Sequence, residues 1–378
     1  MSTVLVSAGF TVQPMQNFSD TLALLQRMPR TSSEIAACAV GWPDYGEPMA
    51  DEVFDLLGEM LLESTFPDID SERDVVLEEI AMYEDEPSDR VHDYLADAIF
   101  GDTPLGRRIL GRADVIANIP VPDIAAYHRS RYTADNIVVA AAGNLDHDAI
   151  VAMAEKLKPE PLPEGVSHSL EPVHPSLNGR LEFATKDTEQ YHICIGGPGI
   201  DRSDERRFVM AVLDSIFGGS SSSRLFREVR ENRGLAYSVG SYSEQFTDTG
   251  VAAIYVGTRE DNVEEACTVI GAELDTIRTS PVSEDELLRA KEHVKGRLVL
   301  SGESTAARMG RIARATLHDL PLLTLDEMIA RVDAVSVGEI SELASELYGS
   351  ERLSLACVGR DEDRFRAAVA PISEALAA

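Results

Sequence analysis

Apolar and polar positions follow the same order at the ends of the two halves of this 378-residue chain. Residues 136–157 (NIVVAAAGNLDHDAIVAMAEKL) place an apolar strand before a glycine-containing turn and an amphipathic helix, and residues 352–372 (RLSLACVGRDEDRFRAAVAPI) repeat that order. Short apolar runs bounded by turn residues predict strands, and apolar positions three and four apart predict helices. We therefore expect a strand, a turn and a helix at the end of each half.

Further segments repeat between the halves at nearly constant spacing. DEVFDLLGEML precedes SERDVVLEEI in the first half, as VEEACTVIGAEL precedes SEDELLRAKEH in the second. The pairs that mark the register are Ser71 and Ser283, Gly58 and Gly271, and Gly143 and Gly359. Their separations of 212, 213 and 216 residues indicate a duplicated unit. The chain is therefore predicted to be α+β, with two homologous domains that are each a mostly antiparallel sheet covered by helices.

A proline-rich segment divides the chain nearly in half. Residues 159–179 hold five of the eighteen prolines, a composition typical of linkers. We expect an N-terminal domain over residues 1–160, a linker over 161–177 and a C-terminal domain over 178–378.

The segment SERDVVLEEI (71–80) predicts a helix with an acidic face. Ser71 is placed to cap this helix, with Asp74 three residues on. Its apolar positions are Val75, Val76, Ile80 and Met82. Glu72 and Glu79 are seven residues apart, which is two helical turns, and so share a face. In an acidic protein such a pair ordinarily marks a solvated surface.

Three longer segments resemble the insulinase or pitrilysin family of zinc metallopeptidases, in the branch of mitochondrial processing peptidase and its bacterial relatives. They are ERDVVLEEIAMYEDEPSDRVHDYLADAIFGDTPLGRRILG (72–111), GGSSSSRLFREVRENRGLAYSVG (218–240) and DELLRAKEHVKGRLVL (285–300). The likeness extends over roughly residues 50–378. It implies two similar α+β domains that close around a peptide, as the internal repeat suggests.

The resemblance matches Glu79 to the family's third zinc ligand and Glu72 to the supporting acid two turns before it. Zinc hydrolysis in this family needs an H-x-x-E-H helix, which supplies two histidine ligands and the glutamate that takes a proton from metal-bound water. That run aligns with SDTLALLQRM, where Asp20 and Leu24 replace the histidines and Ala23 replaces the base. Glu79 is thus predicted to be a remnant ligand, and this chain alone is not expected to bind zinc tightly.

The first domain is also predicted to be shortened. The second half carries the two-strand stretch LAYSVGSYSEQFTDTGVAAIYVGT, whereas only TSSEIAACAVGWPDYGE stands in the corresponding place of the first half. Asp214 to Ser283 is 69 residues and Ser19 to Ser71 is 52, a difference of 17, or about a strand and a turn. Either the chain is a degenerate subunit, or its N-terminus reflects a damaged or misassigned gene start.

Arg230 and Tyr237, again seven apart, match the Arg/Tyr pair with which the family holds the substrate backbone. The residues themselves leave an ordinary interpretation open. Arg230 has Glu228 and Glu231 nearby as ion-pair partners, and Tyr237 opens an apolar strand, where an aromatic residue is common.

Composition limits the partners and the compartment. The 65 acidic residues against 34 basic ones give a net charge of −31, which repels nucleic acid and anionic lipid and favours a cationic partner such as a basic peptide. The four cysteines lack C-x-x-C spacing and are expected in the core. The N-terminus has no basic leader region, and no stretch approaches the ~20 apolar residues of a membrane span. A cytoplasmic protein is expected, without a nucleic-acid or membrane partner.

These features predict a catalytically impaired family member that binds peptides or unfolded protein in a clamshell cleft and pairs, as a homo- or heterodimer, with a catalytic homologue. Two alternatives remain open. The first is an active zinc metalloendopeptidase whose H-x-x-E-H segment is lost from this sequence by truncation or a gene-start error. The second is a peptide-binding module that acts alone.

Overall fold

The computed structural model describes residues 48–161 and 171–377, which divide into two compact units. Each unit is assembled from three stretches of chain. The first takes the described residues of 1–80, 109–171 and 298–325, and the second takes 81–108, 172–297 and 326–377. The domain boundaries expected near residues 160 and 178 stay a prediction, because these units combine segments from both halves of the sequence.

Helices make up most of the described chain. Before the proline-rich segment they are α1 (Pro48–Leu62), α2 (Ile69–Asp85), α3 (Pro87–Phe100), α4 (Ala113–Asn118), α5 (Val121–Arg131) and α6 (His147–Lys156). After it they are α7 (Arg207–Phe217), a π-helix (Phe226–Glu231), α8 (Val263–Thr279), α9 (Glu284–Glu303), α10 (Thr305–Leu317), α11 (Leu325–Ala334), α12 (Val337–Leu347), α13 (Glu362–Ala368) and α14 (Glu374–Ala377). Short 3₁₀ turns occur at Pro104–Gly106, Ala134–Asn136 and Glu260–Asn262.

The second unit is built on a five-stranded sheet. Its strands are β1 (Leu181–Thr185), β2 (Gln190–Gly199), β3 (Ala236–Gln245), β4 (Gly250–Arg259) and β5 (Ser354–Gly359), in the order β1-β5-β2-β4-β3. β1 and β5 are parallel, and every other neighbouring pair is antiparallel. The α+β class is thereby confirmed, and the predicted two-strand stretch is the β3–β4 hairpin. Its turn is closed by Phe246 N donating to Thr249 O at 2.8 Å.

Helix α3 packs on one face of this sheet. Its buried residues Val91, Leu95 and Ile99 recur every four positions and form one apolar stripe. That stripe shares a core cluster with the sheet residues Cys194, Ala253, Ala356 and Val358. Arg180, just before β1, donates from Nε to the Ala98 carbonyl at 2.7 Å. The end of α3 is thus tied to the sheet by a hydrogen bond as well as by apolar contact.

The other face of the sheet is covered by helices of the second half. Ile193 and Cys357 alternate along their strands with the residues that contact α3, so they face away from it. Helices α8 and α12 contact β4 and β2. Cys194, Cys267 and Cys357 are buried free thiols, which confirms their expected place in the core; Cys38 lies outside the described residues.

The first unit has a smaller described core. Phe54 of α1, Ala141 and Ile150 of α6 are buried together, with Leu157 packed against them. A Cβ placed on Gly58 would lie 2.7 Å from Leu157 Cδ2. A larger residue at position 58 would therefore require the Leu157 side chain to move.

The closing segments of the two halves share a helix cap. The Asp146 carboxylate accepts from Ala149 N at 2.9 Å before α6, and the Asp361 carboxylate accepts from Arg364 N at 3.0 Å before α13. The strand expected before the second cap is β5, whereas residues 137–142 form no strand. A strand needs a neighbouring strand to which it is hydrogen-bonded. The described part of the first unit contains no strand. The sheet expected in a shortened first domain stays a prediction.

Candidate functional site

A π-helix and a tight turn bring the residues around Arg230 to the start of strand β3. In the π-helix, Asn232 N donates to Arg227 O at 2.8 Å, five residues back. Leu235 N then donates to Val229 O at 2.9 Å, and Gly234 adopts φ +63°, at a point where a Cβ would meet no described atom within 4 Å. The chain therefore reverses within a few residues, using a glycine for the left-handed conformation.

This reversal brings Arg230 and Tyr237 into contact. The guanidinium carbon Cζ of Arg230 lies 4.2 Å from the centroid of the Tyr237 ring and 4.7 Å from the centroid of the Phe226 ring. Both distances are within the range of cation–π attraction. Tyr237, the second residue of β3, is 79% exposed, and β3 is one of the two edge strands of the described sheet. One cation and one aromatic hydroxyl thus stand together at an accessible place.

The acidic neighbours of Arg230 have other roles. Glu228 forms an ion pair with Arg233 and accepts from Asn232 Nδ2 at 3.1 Å. Hydrogen bonding from Arg233 lowers the pKa of the Glu228 carboxyl. In the part of the chain that the structure describes, neither Glu228 nor Glu231 pairs with Arg230. The ion pair that the ordinary interpretation of Arg230 requires is thus not present among the described residues, where its guanidinium contacts aromatic rings instead.

The surrounding fold holds this region firmly. Arg224 donates from Nε and Nη2 to the two carboxylate oxygens of Glu286, at 2.9 and 3.1 Å. Glu286 also accepts from Ser283 N and Ser283 Oγ, at 3.1 and 3.2 Å. A Cβ placed on Gly218 would lie 2.1 Å from Ser241 N. The FGGSSSSRLF segment is thus a closely packed turn that leads into the π-helix.

Glu72 and Glu79 lie on α2, as predicted, but the helix begins earlier than expected. It starts at Ile69, and Glu72 N donates to Asp68 O at 3.1 Å, so Ser71 is not the capping residue. Both glutamates are half-buried and are not part of a fully solvated face. Of the predicted apolar positions, Ile80 is buried, whereas Val75 and Met82 are 42% and 71% exposed.

The residues present do not fit the zinc site that the resemblance implies. Glu72 and Glu79 offer carboxylate oxygens, while a hydrolytic zinc site in proteins is built largely from histidine, and the sequence has no histidine before His92. The described residues contain no group of three or more histidine, cysteine, aspartate or glutamate side chains suited to a metal. Asp20, Ala23 and Leu24, which are predicted to align with the zinc helix, lie outside the described residues.

Two features of the second unit were not found from the sequence. Phe226 stands four residues before Arg230, a spacing that brings side chains together on a helix. His92 of α3 contacts Tyr242 of β3, with 2.8 Å between Nδ1 and the hydroxyl oxygen. The first contact has a local signal in the sequence, whereas the second joins residues 150 positions apart.

Two family models match adjoining parts of the chain. The one described as the peptidase M16 inactive domain covers residues 118–294, and the one described as insulinase (peptidase family M16) covers residues 44–113.

No helix in the described ranges is both long and apolar enough to span a membrane.

Similar proteins cover most of the chain. An uncharacterized zinc protease of Streptomyces coelicolor is 39% identical over 328 residues, which are 85% of this chain and 71% of that protein. An uncharacterized zinc protease of Bacillus subtilis is 37% identical over 311 residues, 82% of this chain and 75% of that one. A crystal structure of a peptidase M16 inactive domain from Pseudomonas fluorescens superposes with a TM-score of 0.75 at 22% identity, covering 82% of this chain and 76% of that one. A match at 22% identity shows that the two chains share a fold.

Proposed function

The chain is a member of the insulinase (peptidase M16) family, and on that premise we propose that it binds peptide segments at Arg230 and Tyr237. The observation that carries the proposal is the contact between these side chains, 4.2 Å from Cζ to the ring centroid, at an exposed strand edge. The donors of Arg230 are not engaged by the carboxylates next to it in the described chain. A partly exposed arginine that has no acidic partner among the described residues of so acidic a chain is better suited to a ligand than to stability.

The proposed site recognises the main chain of a peptide. A guanidinium has donors and no acceptor, so Arg230 donates to a peptide carbonyl, and the Tyr237 hydroxyl donates to a second acceptor. Such bonds contribute about 0.5 to 3 kcal/mol each. Main-chain recognition carries little sequence preference, which suits unfolded protein, and the net charge of −31 favours basic peptides.

The proposal includes a catalytic partner. A chain that keeps the peptide-binding pair and lacks the residues aligned with the zinc helix is suited to assembly with a homologue that has them, as a homo- or heterodimer. The matched model described as an inactive domain supports this pairing. The family's clamshell cleft and the cytoplasmic location expected from the sequence belong to the same proposal.

A second candidate function is zinc-dependent proteolysis by this chain itself. It is favoured by the names of the relatives from Streptomyces coelicolor and Bacillus subtilis, which are called zinc proteases. In that case the true H-x-x-E-H segment is lost from the sequence. The lack of histidine at the positions aligned with the zinc helix argues against proteolysis by this chain. Measurement of the zinc content of the purified protein separates the two functions.

The proposed function is tested by titrating a basic peptide into wild-type, Arg230→Ala and Tyr237→Phe proteins. We expect the Arg230 substitution to weaken binding about 10-fold or more, because a hydrogen bond to a charged group is lost. Tyr237→Phe removes only the hydroxyl and is expected to weaken binding less. Thermal denaturation of the same samples should show nearly unchanged midpoints.

Two substitutions serve as matched controls. Arg227→Ala removes an exposed arginine of the same π-helix that stacks on no ring among the described residues, and Tyr127→Phe removes the hydroxyl of another exposed tyrosine. Both should bind peptide as the wild type does. A large loss of thermal stability in Arg230→Ala with unchanged peptide affinity would make the pair structural and remove the basis of the proposal.

A further inference from the structure

A second aromatic ring contacts Arg230 in addition to that of Tyr237. Phe226 and Arg230 are four residues apart in the π-helix, and Cζ of Arg230 lies 4.7 Å from the Phe226 ring centroid, against 4.2 Å for Tyr237. The two rings belong to different elements, the π-helix and strand β3. The guanidinium therefore rests against two aromatic surfaces that are held independently by the fold.

Phe226 is the better anchored of the two rings. It is half-buried, whereas Tyr237 is largely exposed. Leu225 before it and Val229 after it are fully buried, and Phe226 N donates to Ser223 Oγ at 3.4 Å. A side chain carried by buried neighbours holds its position more precisely than one on an open surface.

Among the described contacts of Arg230, the rings alone restrain its guanidinium. Glu228 binds Arg233 and Asn232 instead. An arginine side chain has large rotamer freedom, and ordering it on ligand binding costs entropy. Contact with a ring face restrains the guanidinium and leaves its N–H donors, which lie in the guanidinium plane, open to an acceptor.

We propose that Phe226 is a positioning residue of the peptide site: its ring holds the guanidinium of Arg230 so that the in-plane donors meet a peptide carbonyl. This inference rests on the proposed function. Phe226 acts through Arg230, so its loss weakens binding by making Arg230 more costly to order. We expect about a two- to fivefold loss of peptide affinity, smaller than that of Arg230→Ala.

The test pairs peptide titration with the ¹⁵N–¹H signal of the Arg230 Nε group, identified by its absence in Arg230→Lys. A proton beside a ring face is shifted upfield, so the wild-type signal should be displaced from that of a free arginine. Phe226→Leu, which keeps apolar bulk and removes the ring, should reduce the displacement and the affinity. Phe226→Tyr restores a ring and should restore both.

Phe208→Leu is the matched control. Phe208 is another half-buried ring, with Arg207 Cζ 4.8 Å from its centroid, and its substitution should leave the Arg230 signal and the affinity unchanged. If Phe226→Leu does not fold, Phe226→Met supplies the same comparison with a more adaptable apolar side chain.

The outcomes separate this role from the proposed function. An Arg230→Ala protein that binds peptide like the wild type overturns the proposed function and this role with it. An Arg230→Ala protein that binds weakly, beside a Phe226→Leu protein that binds like the wild type, overturns the positioning role alone. Parallel loss in Phe226→Leu and recovery in Phe226→Tyr support it.

Discussion

His92, on α3, makes a contact with the sheet through a titratable side chain. Its Nδ1 lies 2.8 Å from the Tyr242 hydroxyl oxygen and 3.5 Å from Cys194 Sγ. Burial lowers the pKa of His92 below its usual value near 6.5, and the charges of Asp89 and Asp93 oppose that shift without cancelling it. Burial thus favours the neutral imidazole at this contact.

The lowered pKa predicts that α3 is held less firmly in acid. Well above about pH 6.5, the ordinary histidine pKa, His92 is neutral in both folded and unfolded states and contributes no pH dependence. Below that pH the unfolded state takes up the proton first, so stability falls as the pH falls towards the folded-state pKa. His192, whose pKa is also lowered by burial, contributes in the same direction.

Hydrogen exchange of the α3 amides between about pH 5 and 7.5, corrected for intrinsic exchange, measures this effect. Wild-type protection should decrease below about pH 6.5, and His92→Asn should reduce the decrease. His174→Asn, at an exposed histidine, should behave like the wild type. Equal protection of wild-type α3 across the range would contradict the role given to His92.

Contacts between single residues were predictable only where a short interval along the sequence indicated them. The seven-residue interval between Arg230 and Tyr237, together with the family resemblance, singled out two side chains that are in contact in the structure. The His92–Tyr242 contact depends on packing between α3 and β3. No interval along the sequence indicates such a contact.

Helix α3 is the element that most clearly joins the sequence halves in one core. The stripe of Val91, Leu95 and Ile99 is 0 to 1% exposed and shares its cluster with strands from the second half. Amphipathic spacing predicts a buried helix face, but it does not say which sheet that face meets. The strand expected at 137–142 is a related case, because strand formation depends on a distant partner.

Shortening Leu95 should therefore destabilise the second unit strongly. Leu95→Ala removes buried apolar volume from a closely packed cluster, which typically costs about 2 to 5 kcal/mol of unfolding free energy. Denaturant unfolding monitored by a probe in the second unit measures it. Asp97→Ala, at an exposed position of the same helix, should change the stability by less than about 0.5 kcal/mol. Equal effects of both substitutions would show that α3 does not support this core.

For the molecule as a whole, we propose that the chain by itself lacks the zinc chemistry of its family. Carboxylates without histidine make poor zinc sites, so we expect the purified chain to bind zinc no tighter than about micromolar. Metal analysis and zinc titration of the purified protein test this expectation. A stoichiometrically zinc-loaded chain with peptidase activity would favour the second candidate function.

Restoring the zinc-helix residues should not restore full activity. On the alignment predicted from the sequence, the changes Asp20→His, Ala23→Glu and Leu24→His would supply the two ligands and the base, but the first half remains 17 residues shorter between matched positions. Displacement of catalytic groups by about 1 Å can cost about 100-fold in rate. Peptide hydrolysis by the triple variant measures the recovery, and full activity would show that the shorter segment is harmless.

The central claim, that this chain binds peptides without needing zinc, is tested most directly by calorimetric titration of one basic peptide with and without a zinc chelator. Arg230→Ala is titrated alongside the wild type. We expect equal wild-type affinity in both buffers and about 10-fold or more weaker binding by Arg230→Ala in both. Loss of wild-type binding on chelation, or equal peptide affinity of wild type and Arg230→Ala, would contradict the claim that this chain binds peptides without zinc.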